Sequence, residues 1–304
     1  MRKYLDHRPT RWVGTFIALM VVLPAVLNAQ SNRKNNSPDS TARRVQPYYV
    51  NKWIGAGAAA VFTVAGSERI KVLQDKDDIS REAIAKLDYS AVPGFDRAAL
   101  RRNLDKVEKS EGASDRVFQF SAILLPASLM LDKRIRKDWL DIALLYLETQ
   151  GLASSFYAFS PLGPTSINRY RPRVYYGDLA YEDRSDGNQK NSFFSGHVST
   201  TAIGSFFFAK VMTDYHPEWS AGRKALIYGL ATLPPAYVGV QRVRALKHFP
   251  SDSVAGLAVG AGIGILVPQV HKWWKNSREN RRSSLSLGGY YEDDAKGATL
   301  VLHF

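Results

Sequence analysis

A histidine in this sequence stands where a helix start could hold an anion. His197 directly follows Ser195 and Gly196 and precedes a long apolar run. Serine is a common cap at helix N-termini, so a helix is expected to begin here. One interpretation is an ordinary helix start with a histidine in its first turn. The other is a phosphate site, because free backbone N–H groups and the helix dipole both attract anions.

A second histidine stands in a spacing that suits nucleophilic chemistry. Arg242 precedes His248 by six residues, and Asp252 follows it by four. A neutral imidazole can attack phosphorus while a carboxylate fixes its tautomer. His197 could then protonate the leaving alkoxide as a general acid. Two simpler interpretations remain open: a capping or salt-bridge pair, and a metal site, although the third ligand and spacing of zinc motifs are absent.

A basic stretch supplies candidate phosphate ligands. Residues Asn168–Arg173 read NRYRPR, and guanidinium groups bind phosphate oxygens with forked, permanently charged donors. Arg171 and Arg242 are the expected clamp, and Arg169 is a further candidate. A plain basic loop is the alternative. With several guanidinium groups to balance the phosphoryl charge, the chemistry needs no metal.

The order and spacing of these residues resemble the type 2 phosphatidic acid phosphatase and vanadium-dependent haloperoxidase superfamily. Its motifs run K-x6-R-P, then P-S-G-H, then S-R-x5-H-x3-D. The matching positions are Arg171-Pro172, Ser195-Gly196-His197, and Arg242, His248 and Asp252. The resemblance covers residues 117–270. It implies that His248 forms a phosphohistidine, that Asp252 orients it and that His197 is the acid. It also implies four phosphate ligands: Arg171, Ser195, Gly196 and Arg242.

Three positions depart from the family motifs. Phe194 replaces the proline before Ser-Gly-His, and Gln241 replaces the serine before Arg242. Neither side chain needs to touch phosphate. The family lysine falls at Pro164, so one phosphate-oxygen donor is missing. We expect Arg169 to take its place, and weakened activity is an open alternative.

The composition indicates an exported protein with a real core. The chain has 304 residues, 45% of them hydrophobic, and a net charge of +13. Residues 1–29 carry a basic start, an apolar run and a small residue before a plausible cleavage point, which is typical of an export signal or a membrane anchor. There is no cysteine, so a thiolate nucleophile is excluded. The positive charge suits anionic partners, but no nucleic-acid reader motif is present.

The apolar segments predict an all-α helical bundle, membrane-embedded, with about five to six apolar helices. Five segments are at or just below the length that spans a bilayer: Val117–Leu131, Trp139–Phe159, His197–Met212, Ala225–Gln241 and Ser253–Val270. The tail alternates around a turn and predicts a short C-terminal β-hairpin. The expected organisation is a signal or anchor (1–29), a flexible linker (30–51), an apolar segment with charged amphipathic helices (52–116), the phosphatase bundle (117–272) and a basic segment with the hairpin (273–304).

Charge placement predicts which side of the membrane carries the site. The gap Asp132–Trp139 and the stretch after the last apolar segment are both rich in lysine and arginine. If both are cytoplasmic, as the positive-inside rule indicates, loops 160–196 and 242–252 share the exported face. The site would then lie on the periplasmic side of a bacterial-type cell envelope membrane.

The sequence therefore predicts a metal-independent phosphatase that acts on lipid phosphate monoesters or pyrophosphates. No cofactor is expected, although vanadate would fit as a phosphate mimic. The expected partners are the lipid phosphate substrate and membrane lipids, with no nucleic acid and no protein partner. One alternative is a soluble periplasmic acid phosphatase of the same fold, and a haloperoxidase is disfavoured in so short a chain. Another is a phosphate- or lipid-binding protein that has lost turnover.

Overall fold

The computed structural model describes residues 45–283, 285–292 and 295–302, with side chains as far as residue 280. The predicted signal (1–29) and most of the predicted linker lie outside the described residues. The described chain is mostly helical, which confirms the predicted helical class. Its α-helices are α1 (Lys52–Ile70), α2 (Arg81–Ala85), α3 (Val107–Gln119), α4 (Leu125–Ala127), α5 (Trp139–Phe159), α6 (Tyr181–Ser185), α7 (Gly196–Tyr215), α8 (Ala221–Ala231), α9 (Leu233–Arg244) and α10 (Pro250–Ser283).

Shorter turns connect these helices. A π-helical turn, Phe120–Leu124, joins α3 to α4. The 3-10 turns are Lys71–Leu73, Tyr89–Ala91, Arg97–Leu100, Leu104–Lys106, Ser128–Leu131, Ile135–Asp138, Pro172–Tyr175 and Gly187–Lys190. At the C-terminus, strands β1 (Leu285–Glu292) and β2 (Ala295–Leu302) pair antiparallel, with Leu285 opposite Leu302 and Glu292 opposite Ala295.

Helices α7 and α10 approach each other backbone to backbone. Three glycines of α10, spaced four residues apart, face α7: Gly256, Gly260 and Gly264. A Cβ atom at Gly260 would lie 2.2 Å from the carbonyl oxygen of Ser199, and one at Gly256 would lie 2.6 Å from that of Ser195. Only glycine fits at such distances, as in other helix pairs with small residues at their interface. The contact sets the first turn of α10 beside the start of α7.

Helix α1 packs against α5 in a similar way. A Cβ at Gly151 would lie 3.0 Å from the Ala59 carbonyl oxygen, and Ser155 Oγ donates a hydrogen bond of 2.8 Å to the Phe62 carbonyl. The other side of α1 is left uncovered, with Trp53 80% exposed. Helix α5 therefore lies between α1 and the rest of the bundle.

The apolar core lies among α5, α7, α8 and α10. Leu144 and Leu145 of α5 and Phe207 of α7 are completely buried. A further cluster joins α7, α8 and α10: Ala202, Phe206, Ala209, Ala231, Ile227, Leu257, Ala261 and Ile265. Burial of this many apolar side chains supplies the main favourable free energy of folding.

Two predicted apolar segments are not single helices. Val117–Leu131 is divided among α3, a π-helical turn, α4 and a 3-10 turn. Ala225–Gln241 is interrupted at Thr232, just before two prolines that cannot continue the hydrogen bonds of α8. Within the residues that the structure describes, one helix, Pro250–Asn280, is long and apolar enough to cross a membrane. The prediction of five to six such helices is thus supported for one helix of the described chain.

Candidate active site

The start of α7 has the geometry expected of an anion site. Ser195 is fully buried in extended conformation (φ −69°, ψ 109°), and its side chain accepts a hydrogen bond from the Val198 N–H. The Ser195 N–H donates to the Asp252 carbonyl at 3.1 Å. A Cβ at Gly196 would lie 3.3 Å from the ring of Tyr157, so glycine keeps the helix start close to α5. The first N–H groups of α7 have no carbonyl partner within the helix.

His248 is buried with one tautomer fixed by the backbone. Its Nδ1 lies 2.6 Å from the carbonyl oxygen of Ser192. A carbonyl only accepts hydrogen bonds, so Nδ1 carries the proton and Nε2 keeps its lone pair. Burial, and then the positive charges of Arg242 and Arg171, hold the pKa of His248 well below its ordinary value. The imidazole is therefore neutral at neutral pH, as a nucleophile must be.

Asp252 does not make the direct hydrogen bond to His248 that the spacing predicts. Its Oδ2 lies 3.9 Å from His248 Nδ1, which is too far for a hydrogen bond. That oxygen instead accepts from Ser192 Oγ at 2.6 Å and from the Phe249 N–H at 2.7 Å. Because the Ser192 carbonyl holds His248, Asp252 orients the imidazole through Ser192 and the Phe249 backbone.

Arg171 and Arg242 carry buried donors without partners. Within the described chain, the Nε atom of each is buried and makes no hydrogen bond. The remaining contacts of their guanidinium groups are long: 3.5 Å from Arg242 NH1 to Asp115 and 3.4 Å from Arg171 NH2 to Asn188. Burial and the neighbouring Arg242 lower the pKa of Arg171 to about 10, so it stays charged at neutral pH. Buried unpaired donors are costly, and an anion would satisfy them.

Arg169, a predicted phosphate ligand, is paired with two carboxylates in the structure, and its phosphate-binding role stays a prediction. One nitrogen, NH1, donates to Asp252 and to Ser251 Oγ, and NH2 donates to Asp96 at 2.6 Å. Its guanidinium also lies 4.7 Å from the ring centroid of Phe249. Two carboxylates already occupy the fork, so Arg169 is a positioning residue for Asp252.

The sequence did not single out two carboxylates of α3. Asp115 Oδ1 lies 3.3 Å from His197 Nε2 and 3.5 Å from Arg242 NH1. Burial alone would raise the pKa of Asp115, but His197 and Arg242 lower it below its ordinary value. One turn earlier, Glu111 Oε1 lies 2.8 Å from Lys247 Nζ. The available signal was two acidic residues four positions apart in a highly charged segment, which places them on one helix face.

The three departures from the family motifs take different structural roles. Pro164 is buried, and its carbonyl accepts a hydrogen bond of 2.7 Å from Lys76 Nζ, which also bonds Asn168 at 2.7 Å. Phe194 packs edge-on against Tyr157, with ring centroids 5.2 Å apart. Gln241 is buried in α9. None of these three side chains brings a positive charge to the site.

A cavity of 240 Å³ opens beside His197. By surface its lining is mostly apolar, with Ile70, Phe118, Ala153 and Ile203, and its polar members include Gln150, Ser154, Ser199 and Thr200. The ring of Phe118 lies 4.7 Å from that of His197, centroid to centroid. A group released next to His197 would therefore leave into an apolar space.

Among the residues that the structure describes, no group of three or more His, Asp or Glu side chains is arranged to hold a metal ion. The absence of a metal from the reaction stays a prediction. What the described side chains can do is hold an anion with two arginines and a helix start. They also present a neutral imidazole and a second histidine next to a carboxylate.

The fold and the site together define a helical protein with an anion-binding centre. Residues 140–276 match the family model described as the PAP2 superfamily, and this stretch includes His197 and His248. The resemblance drawn from the motifs is thus confirmed.

Two curated proteins resemble parts of the chain. It is 32% identical over 105 residues to "Lipid A 1-phosphatase" of Rhizobium johnstonii, covering 33% of this chain and 37% of that protein. It is 31% identical over 150 residues to "Phospholipid phosphatase 1" of Rattus norvegicus, covering 42% of this chain and 53% of that protein. The alignments thus span about a third to a half of these relatives. No solved structure matches the chain significantly.

Proposed function

We propose that this protein is a phosphatase that removes phosphate from membrane lipids through a phosphohistidine. The observation that carries the proposal is the pair of buried, unpaired Nε donors on Arg171 and Arg242, beside a neutral His248. A tetrahedral dianion is the ligand that such a site would stabilise most. The names of the two relatives, both lipid phosphatases, support the same class of reaction.

The first chemical step transfers the phosphoryl group to His248. Its Nε2 lone pair attacks phosphorus, a P–N bond forms, and the P–O bond to the lipid alcohol breaks. Burial and the charge of Arg242 lower the pKa of His197 to about 4 in the empty protein, so its ring is neutral before substrate binds. The substrate enters as a monoanion and passes its proton to His197, where Asp115 stabilises the imidazolium. His197 then gives this proton to the departing oxygen. Arg171 and Arg242, with the first N–H groups of α7, balance the charge on the equatorial phosphate oxygens.

The second step returns His248 to its starting state. His197, now neutral, takes a proton from a water molecule, and that water attacks phosphorus as the P–N bond breaks. Inorganic phosphate takes this proton and leaves as a monoanion, so His197 is neutral again. The Ser192 carbonyl accepts the Nδ1 proton of His248 throughout, so positive charge that develops on the ring is stabilised. Asp252 keeps Ser192 in place through its hydroxyl.

The substrate class follows from the surroundings of His197. The cavity beside it is mostly apolar, which suits the alcohol portion of a lipid better than a sugar or nucleoside. The apolar helix Pro250–Asn280 begins two residues after His248, and only 28% of its most apolar stretch is buried. A site at the end of such a helix would meet lipid headgroups. We further propose that it lies on the exported face of a cell envelope membrane.

The test of this function is phosphate release from phosphatidate and a polyprenyl diphosphate by the purified full chain. We expect release by the unmodified protein and none by His248→Ala. His216→Ala is the matched control, because His216 lies at the other end of α7, paired with Asp132. The control is expected to keep full activity. Equal turnover in His248→Ala would refute the nucleophile assignment, and no turnover in any variant would refute the phosphatase itself.

The proposed location has a separate test. Cells that express the full chain are fractionated without detergent, and the protein is followed by immunoblot. We expect it in the membrane fraction, with a cysteine introduced at exposed Asp178 labelled by an impermeant maleimide from the exported side. Recovery in the soluble fraction would overturn the membrane proposal and favour the water-soluble phosphatase.

A further inference from the structure

Lys247 is a buried cation that the mechanism above does not use. It stands directly before His248, where the chain reverses direction through Leu246 at a positive φ of 56°. The Lys247 N–H donates to the Arg242 carbonyl at 3.1 Å, and the side chain is only 19% exposed. Its ammonium group bonds Glu111 at 2.8 Å. A turn that closes on Arg242 thus holds Lys247 next to the nucleophile.

Helix α3 fixes where the ammonium group lies. Glu111 and Asp115 are four residues apart, so their Cβ atoms are about 5–6 Å apart on one helix face. Glu111 contacts Lys247, while Asp115 contacts Arg242 and His197. The same helix face therefore lines up the ammonium of Lys247 with the guanidinium of Arg242.

The electrostatics of Lys247 agree with this arrangement. Burial lowers its pKa and Glu111 raises it, while the charges of Arg171 and Arg242 lower it further. Both proposed phosphate ligands are therefore within electrostatic reach of Lys247. In the absence of phosphate, two carboxylates, Glu111 and Asp115, partly compensate this cluster of three cations.

We propose that Lys247 is a third donor to the phosphate oxygens, held ready by Glu111 and transferred to the phosphate when it binds. This inference rests on the proposed phosphatase site and adds a residue to it. Lys247 would supply the positive charge that the chain lacks at Pro164. Lys76 is the other lysine to consider, because it bonds the Pro164 carbonyl. Its ammonium is already shared between that carbonyl and Asn168, and the cation that acts on its pKa is Lys190.

The experiment compares Lys247→Met with Lys76→Met in the purified full chain. Binding of inorganic phosphate is measured by calorimetry, and kcat/KM is measured on phosphatidate. We expect Lys247→Met to weaken phosphate binding and lower kcat/KM by about tenfold to a hundredfold, the worth of one charge-assisted hydrogen bond. Lys76→Met should stay within twofold on both measurements. Lys247→Arg should restore phosphate binding.

A purely structural ion pair gives a different pattern. Removing either Lys247 or Glu111 would then weaken phosphate binding to the same extent. Glu111→Gln is therefore the variant that distinguishes the two roles. We expect Glu111→Gln to bind phosphate at least as tightly as the unmodified protein, because it frees the ammonium. Lys247→Met that binds phosphate normally, or Glu111→Gln that loses binding equally, would overturn the inference. Phosphate binding is measured without turnover. If no phosphate is released from the lipid, the proposed phosphatase function is refuted, but the binding measurement still tests the role of Lys247.

Discussion

Two arginines that stand two residues apart have opposite surroundings. Arg169 gives its donors to Asp252, Asp96 and Ser251, all in a compact buried network. Arg171 has a buried Nε without a partner, and its one side-chain contact is 3.4 Å long. The same residue type thus has two different environments within three residues of sequence.

The difference separates an arginine that positions other residues of the site from an arginine that can bind the ligand. Arg169, paired between buried carboxylates, fixes their positions with three of its five N–H donors. An unpaired buried arginine costs free energy in the empty protein and recovers it when an anion binds. Hydrogen-bond partners, more than proximity in sequence, therefore indicate which cation binds phosphate.

The largest expected effect is on stability, for Arg169→Gln. The substitution leaves Asp252 and Asp96 buried with one fewer donor each and no counter-charge. Breaking a buried ion pair in this way costs about 3–5 kcal/mol. Urea unfolding of the solubilised protein, followed by tryptophan fluorescence, measures the loss. An unchanged midpoint would mean that Arg169 does not hold Asp252.

Arg171→Gln should give the opposite result. We expect kcat/KM for lipid phosphate to fall about a hundredfold or more, as when one preorganised donor to a transition-state oxygen is removed. Its unfolding midpoint should stay level or rise, because a desolvated charge is gone. Parallel kinetics and urea titrations on both variants provide the comparison. A stability loss as large as that of Arg169→Gln would contradict the distinction.

The smallest expected effect is a change in the pKa of His248. Burial and the charges of Arg242 and Arg171 keep that pKa well below its ordinary value. Removing the charge of Arg171 favours the protonated ring, so the pKa should rise in Arg171→Gln. Histidine NMR titration of the phosphate-free protein measures the shift, with His248→Ala to assign the resonance. In Arg169→Gln we expect no comparable rise in the pKa of His248, which would further distinguish the two arginines.

Much of the fold was predictable from local patterns. Three long apolar runs form α5, α7 and most of α10. Ser195 caps α7, as its residue type indicates. The exceptions are Val117–Leu131, which is divided among four elements, and the break at Thr232. There the two following prolines outweigh a continuous apolar pattern, because proline cannot supply the backbone donor that a helix interior requires.

The site was predictable where its residues share a motif and not where they meet only in space. The spacing of Arg242, His248 and Asp252 placed all three in one region of the chain. Asp96 and Asp115 come from a charged segment far away in sequence, and a single carboxylate leaves no periodic signal. Their contacts depend on tertiary packing, and so did the different surroundings of Arg169 and Arg171.

The close contact between α7 and α10 has a consequence for the environment in which the site can work. Its glycines meet backbone carbonyls, so this part of the contact rests on dispersion forces, which need no exclusion of water. Apolar side chains would pack in water through the hydrophobic effect, which lipid does not provide. The separation between the N-terminus of α7 and the turn that carries Asp252 should therefore be the same in detergent, bilayer or aqueous surroundings.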